Sequence, residues 1–265
     1  MTIHYHYTSV ETLFKIVQNR TWRFTNVRFM NDGNEFHFGW KLMQRHEPRI
    51  AQICVAELVL PFWVSCFSKS DDSFSQWSMY GDGGAGVAIG IDTEHFGNSI
   101  VRPGIKGAGP HPFETLEIVY DKDQQEELIR QELANHKKVF DGPNFIADLP
   151  REILQLPIQF KQHNFKAEEE VRCVQFFPVT EPATMGKAEI EEWREFASEY
   201  LKYAWRKGRI VPFLEVPWTH PDVLRKIVTG PKFSQGSNRQ MLVQFLQLHG
   251  FDNLEITHSK IEWGV

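Results

Sequence analysis

The stretch Phe165-Lys166-Ala167-Glu168-Glu169-Glu170-Val171-Arg172-Cys173-Val174-Gln175-Phe176-Phe177 sets the hardest condition on any fold of this chain. Its second half is apolar enough for a buried strand, yet it carries carboxylates and a guanidinium, and a buried charge must be paired or used. At the two-residue period of a strand, Glu168, Glu170 and Arg172 point to one face, with Val174 and Phe176 following there. Val171, Cys173 and Phe177 take the other face. Burial and like-charge crowding push one glutamate's pKa upward, while Arg172 pulls it back. Two readings follow: an ion-paired strand with no task beyond structure, or a carboxylate prepared for catalysis.

The chain is 265 residues long, enough for a sizeable core, and is read as a single domain spanning 1–265 with 98–160 as an insertion or helical elaboration. Hydrophobic residues at 42% against 24% charged give the mixture of a soluble globular protein. A net charge of −5 carries no overall basic footprint for nucleic acid or membrane, though it leaves room for a local basic patch. The three cysteines, Cys54, Cys66 and Cys173, form no CxxC, and so sparse and odd a set points to reduced thiols and a cytoplasmic location. The opening residues lack the basic and apolar regions of a signal peptide, and no apolar run reaches the roughly 20 residues that span a bilayer.

Along the chain, Ile3 to Tyr7 reads as a strand, and Ser9 as the cap of a helix striped by Leu13, Ile16 and Val17. Strand signals recur at Thr21–Phe24, Pro61–Phe67, Val87–Ile91 and Leu116–Tyr120, with Asp121 capping the helix that follows. Asn98 to Pro112 reads as a long loop. A second helix is expected between Ile146 and Lys161, broken or kinked by Pro150 and Pro157. Ile190, Trp193, Phe196, Ala197, Tyr200, Leu201 and Ala204 mark the most regular amphipathic helix. A strand over Ile210–Val216, a unit over Val223–Thr229, a helix over Met241–His249 and terminal strands at Leu254–Thr257 and Ile261–Trp263 complete the chain. Because the βα spacing is irregular, the fold class is α+β, with mixed, largely antiparallel sheets and flanking helices.

Several motifs invite chemistry and carry little. Gly81, Gly83 and Gly86 fit G-x-G-x-x-G, but they follow a helix and open a strand, the reverse of a dinucleotide fingerprint, and so mark a turn. His4 and His6 share a strand face without a third ligand at a telling distance, and no metal site is assigned. Asp32 and Glu35 stand three apart, the spacing of a capping box. No G-x-S-x-G elbow is present.

Taken in order, Tyr5-His6-Tyr7-Thr8-Ser9, Asn31-Asp32 with Glu35, Cys66-Phe67-Ser68 with Trp77 and Tyr80, Gly86 to Ile91, Phe165 with Glu168-x-Glu170-x-Arg172, Gly230-Pro231 and Ser259-Lys260-Ile261 resemble the bacterial family called domain of unknown function 2971. That resemblance implies phage-defence, abortive-infection or toxin settings. A more distant likeness is to the ADP-ribosyltransferase fold, in which NAD is split and ADP-ribose moved to a protein, nucleic-acid or small-molecule acceptor. It implies an ADP-ribosyltransferase-like core, with NAD as substrate. His6, beside Tyr7 and Thr8, would hold the ribose, and Ser68 would lie by the nicotinamide side. Tyr80 or Trp77 would stack on the ring, with Arg172 close by. Glu170 would be catalytic, with Glu168 orienting or deprotonating the acceptor.

The chemistry needs these residue types. Breaking the N-glycosidic bond develops positive charge on the ribose, which a carboxylate stabilises. Two other readings stay open. One is a non-catalytic sensor or adaptor, in which the Glu-Arg cluster is structural. The other is a metal-dependent nuclease gathering Mg²⁺ on Asp32, Glu35, Glu168 and Glu170, with Arg172 on phosphate.

Overall fold

A computed structural model describes residues 2–30, 34–52, 61–99, 113–142, 145, 148–177, 187–206 and 208–263. Strand β1 (Ile3–Thr8) leads into helix α1 (Val10–Asn19), strand β2 (Thr21–Asn26), helix α2 (Asn34–His46) and strand β3 (Phe62–Ser68). Then come α3 (Phe74–Met79), β4 (Val87–Asp92), α4 (Thr93–Ser99), β5 (Glu114–Glu117), α5 (Lys122–Asn135), α6 (Lys137–Phe140) and α7 (Arg151–Gln159). The chain closes with β6 (Glu170–Phe176), α8 (Lys187–Tyr200), β7 (Leu201–Arg206), β8 (Arg209–Pro217), β9 (Leu224–Thr229), α9 (Ser237–Leu248) and β10 (Glu255–His258). The expected caps are present: the Ser9 side chain accepts from Thr12 N, and that of Asp121 from Gln124 N.

Among the described residues the strands form one ten-stranded sheet in the order β10-β9-β4-β1-β3-β2-β8-β7, with β6 also on β3 and β5 on β6. Only β10 and β9 run parallel, so the mixed, largely antiparallel reading holds. The sheet separates two cores. Trp22, Phe24, Trp63, Phe67, Cys173 and Phe177 lie in one, covered by α1, α8 and α9. Phe62, Val64 and Val174 lie in the other, under α2, α5 and α7. Alternation along β3 and β6 thus feeds both faces, as the two-residue period requires.

The sheet forks at β3. One edge of β3 pairs with β6 along its whole length, from Phe62↔Phe176 to Ser68↔Glu170. The other edge is shared: β2 meets it at Val64 and Trp63, and β1 only at Ser68. Beyond those pairs β1 turns to β4 and β2 to β8, so the two strands part over the middle of β3. The α1 connection makes this possible, since a helix between β1 and β2 removes any need for them to pair as a hairpin.

Sequence and structure part at three elements. The amphipathic helix ends at Tyr200, and Leu201 and Ala204 belong to β7, paired with β8 from Leu201↔Leu214 to Arg206↔Arg209. Residues 201–206 satisfy either period, and the free edge of β8 decides for the strand. Ile261–Trp263 is not a strand; Trp263 instead stacks on Phe74, ring centroids 4.6 Å apart. The strand expected over Leu116–Tyr120 begins two residues earlier, as β5 (Glu114–Glu117), and pairs with β6. Most of the expected loop at 98–112 lies outside the described residues, as do Asp32 and Cys54. Among the described residues no helix is long and apolar enough to cross a membrane.

The glycine cluster is the turn expected of it, running from α3 into β4. Gly86 packs where no side chain fits: an added Cβ would lie 2.2 Å from Thr8 O and 2.8 Å from Gly81 O, both backbone atoms. Gly86→Ala is therefore expected to cost about 1–3 kcal/mol by overpacking, read as a lower urea midpoint. An unchanged midpoint would show that β1 and the turn are not held this close.

Candidate functional site

Where β1 and β2 part, a cleft of about 550 Å³ opens, and its lining includes Tyr5–Thr8 of β1, Thr21–Arg23 and Thr25 of β2, and Val64–Phe67 of β3. Tyr80, Lys161, Glu168, Glu170 and Arg206 also border it. The volume lies in the range of small-molecule sites.

His6 closes the fork. Its Nδ1 is 3.0 Å from Cys66 O, a backbone carbonyl that β1 leaves unpaired. A carbonyl only accepts, so Nδ1 carries the proton and Nε2 is an acceptor with no partner among the described residues. Burial lowers the His6 pKa, against the opposing pull of that carbonyl, and the imidazole is neutral. Trp22 and Phe67 hold the ring at centroid distances of 5.4 and 5.8 Å. His4 is separate: its Nδ1 pairs with Thr93 Oγ1 at 3.0 Å, and no group of three metal-ligating side chains occurs among the described residues.

The glutamate segment is divided by its backbone. Glu169 has φ 43°, a left-handed conformation that ends the strand, so β6 begins at Glu170 and Glu168 sits in a 3-10 turn. Glu168 therefore does not share the strand face by periodicity, as the sequence predicts; it arrives through the turn. Glu170 and Arg172 do share it. Ser68 Oγ donates to Glu168 O at 2.8 Å, and Glu170 N donates to Tyr120 Oη at 2.9 Å, fixing both ends of the turn.

Lys161 lies at the centre of these charges. Its Nζ is 2.6 Å from Glu168 Oε2, 2.9 Å from Glu170 Oε2 and 2.9 Å from Glu35 Oε1. Arg172 Nε donates to Glu170 Oε1 at 2.7 Å, Nη2 to Glu35 Oε2 at 2.5 Å and Nη1 to Ile158 O at 2.8 Å. Arg172 is 1% exposed, and Lys161, Glu168 and Glu170 are equally interior. Gln125 of α5 positions the lysine by donating to Val119 O and Lys161 O, at 2.6 and 2.9 Å. Glu35 is thus a member of this cluster; the Asp32 half of the expected capping box lies outside the described residues.

The two glutamates differ. Burial raises the Glu168 pKa, and Lys161 only partly offsets it. Burial would raise Glu170 too, but Arg172 and then Lys161 outweigh it and hold the group down at about 2. Both Glu170 oxygens face cations, whereas Glu168 Oε1 accepts no hydrogen bond from any described residue. Burial pulls Lys161 and Arg172 down, but the surrounding carboxylates raise both above their ordinary values. Burial, followed by Glu168, raises the Tyr80 phenol, and burial with Glu170 raises the Cys66 thiol.

Of the residues singled out from the sequence, His6, Tyr7, Thr8, Tyr80, Glu168 and Glu170 line the cleft. Ser68, Trp77 and Arg172 are buried and do not line it. Trp77 is fully buried and donates to Asp72 Oδ1 at 2.7 Å, so it is not placed to stack on a ligand. Lys161 had no sequence signal, being a lone lysine after an apolar helix, and Cys66 stood out only as part of a strand.

Residues 76–173 match the family described as Protein of unknown function (DUF2971). The matched residues include Tyr80, Lys161, both glutamates and Arg172, while His6 and Glu35 lie outside them. Neither a curated protein nor a solved structure matches the chain.

Removing Lys161 would leave Glu35 and Glu170 to Arg172 alone and take away the cation that pairs Glu168. Lys161→Met is expected to cost about 3–5 kcal/mol in urea unfolding near neutral pH. Acid should also act here. Glu170 is lowered from 4.5 to about 2, so its stabilisation is full above the unfolded value and is lost as pH falls from 4.5 toward 2. Glu168, shifted up, opposes this only by regaining stability on protonation. A stability–pH profile of Lys161→Met parallel to that of the wild type would show that the lysine does not hold Glu170 ionised.

Proposed function

We propose that the cleft binds NAD, breaks its nicotinamide–ribose bond and passes ADP-ribose to an acceptor, in the toxin or phage-defence setting that the family resemblance implies. The observation carrying this reading is that His6, Tyr80, Glu168 and Glu170 border one cleft, although about 160 residues of chain lie between the first and the last.

On this reading the bonding electron pair leaves with nicotinamide, and positive charge grows on the ribose. Three carboxylates against two cations leave the cluster formally one unit negative, beside the place where that charge develops. Glu168 Oε1 and His6 Nε2 are acceptors for ribose hydroxyls, and Tyr80, kept protonated by its surroundings, is a donor. Glu168 is thereby the carboxylate that meets the sugar. Glu170, held on both oxygens, positions Lys161 and Arg172. A metal-dependent nuclease has less support, because Lys161 Nζ occupies the centre of Glu35, Glu168 and Glu170, where a divalent ion would sit.

Incubation with labelled NAD and a cell lysate tests the proposal. Glu168→Gln should reduce label transfer at least 100-fold (order of magnitude) while leaving the circular dichroism spectrum unchanged. Retained transfer removes Glu168 from the chemistry. NAD should raise the melting temperature. A rise without transfer favours a non-catalytic sensor, and no rise removes NAD from the cleft.

A further inference from the structure

The cleft has a second, cationic end. Besides the glutamates, its lining includes Arg23 of β2, Arg206 of β7 and Glu215 of β8. Strand pairing puts both arginines on the face of the sheet that carries the charge cluster, because opposed residues of an antiparallel pair share a face and so do residues two apart on one strand. Thr25↔Val64 and Val64↔Val174 bring Arg23 to the side of Cys66, Glu170 and Arg172. Thr25↔Phe213, Lys202↔Phe213 and Arg206↔Arg209 bring Arg206 and Arg209 there as well. β3 stands between β2 and β6, so Arg23 and Glu170 lie two strand spacings apart, no less than about 10 Å.

These cations are poorly matched. The Arg23 guanidinium rests 3.8 Å over the Phe213 ring, which holds its planar fork in place. Its carboxylate neighbour, Glu215, is 3.9 Å away, beyond hydrogen-bond length. Partial burial, then the neighbouring Arg206, hold the Arg23 pKa below its ordinary value, against the pull of Glu215. Arg206 has no carboxylate partner among the described residues. Its cross-strand partner is Arg209, and like charges directly opposite are destabilising. Arg209 donates to the carbonyl of Met30, a residue of the cleft lining, and so ties the end of the hairpin to the cleft. Lys15 also borders the cleft, but Glu11 matches it at 2.7 Å.

The two ends are opposite in kind. At one, Glu168 Oε1 and His6 Nε2 accept from hydroxyls; at the other, Arg23 and Arg206 share the single carboxylate of Glu215. A ligand that satisfies both carries hydroxyls at one end and an anion roughly 10 Å along. A free sugar is too short for that span, and a neutral nucleoside lacks the charge. Guanidinium forks match phosphate oxygens in pairs, whereas a single added carboxylate would repeat what Glu215 supplies.

We propose that Arg23 and Arg206 form a phosphate subsite, so that the cleft takes nucleoside-diphosphate compounds, with a ribose inward on Glu168 and His6 and the diphosphate outward on the arginines. The subsite stands on the cations alone. That the diphosphate is the one in NAD rests on the reading above, and it makes NAD, rather than nicotinamide riboside, the substrate.

Isothermal titration calorimetry of the whole protein with ADP-ribose, inorganic pyrophosphate and nicotinamide riboside tests it. The double variant Arg23→Gln/Arg206→Gln should weaken ADP-ribose at least about tenfold and remove pyrophosphate binding. Nicotinamide riboside, which has no phosphate, should change by less than about twofold. Lys202→Gln, on the same face but outside the cleft lining, should leave all three unchanged; circular dichroism checks that the variants are folded. No binding of ADP-ribose or pyrophosphate to the wild type overturns the proposal, as does binding that the double variant leaves intact. Equal loss in Lys202→Gln, or competition by succinate as effective as by pyrophosphate, also overturns it, because the attraction is then general charge. Pyrophosphate and ADP-ribose binding that depends on both arginines, without any cleavage of NAD, keeps the subsite and sinks the NAD reading. NAD cleavage with an unchanged KM in the double variant does the reverse.

Discussion

Lys161 Nζ lies within hydrogen-bonding distance of carboxylates from three separate segments, the first turn of α2, the turn before β6 and β6 itself. No ammonium could be buried at that depth without them, because its desolvation costs several kcal/mol. The same is true of Arg172, whose guanidinium also holds the Ile158 carbonyl near the end of α7. A buried ion cluster adds little net stability over an apolar core, but it punishes any arrangement that leaves a member unpaired. In this fold that penalty falls on α2, α7 and β6 together. Their positions beside the cleft are linked through charge as well as packing.

The cleft itself follows from how hydrogen bonds are shared in the sheet. β3 has two edges, and β6 fills one completely. β1 and β2 must divide the other, and each finds a better partner elsewhere, β4 for one and β8 for the other. The strands diverge, and the carbonyl of Cys66 is left over in the gap. His6 satisfies it, so the residue that closes the fork is also presented to the cleft with a fixed tautomer. Backbone accounting and site geometry are here one problem.

Much of the architecture was legible. Alternation marked β1, β4 and β6, capping residues marked α1 and α5, and the glycine turn was placed by its context. The amphipathic stripe of α8 continues in the sequence beyond the helix, because Leu201 and Ala204 fit a helical period as well as a strand, and only the available edge of β8 separates the two. Within the site, Glu170 and Arg172 were visible as charges inside an apolar strand. Glu35 carried the ordinary signature of a cap, and Lys161 carried none, since a lone lysine after an apolar helix is most often at the surface.

The sequence by itself determined that a buried carboxylate, Glu170, and a guanidinium, Arg172, would share a strand next to apolar neighbours, because the two-residue period and the demand for pairing are local properties. It determined equally that the first strand would carry an imidazole. Only the tertiary structure decided which cation stands among the carboxylates, which glutamate keeps an unpartnered oxygen, and that the imidazole and the carboxylates border one cleft. Those outcomes depend on the fork at β3 and on the left-handed backbone at Glu169, and both arise from pairings between segments far apart in the chain, which no local pattern encodes.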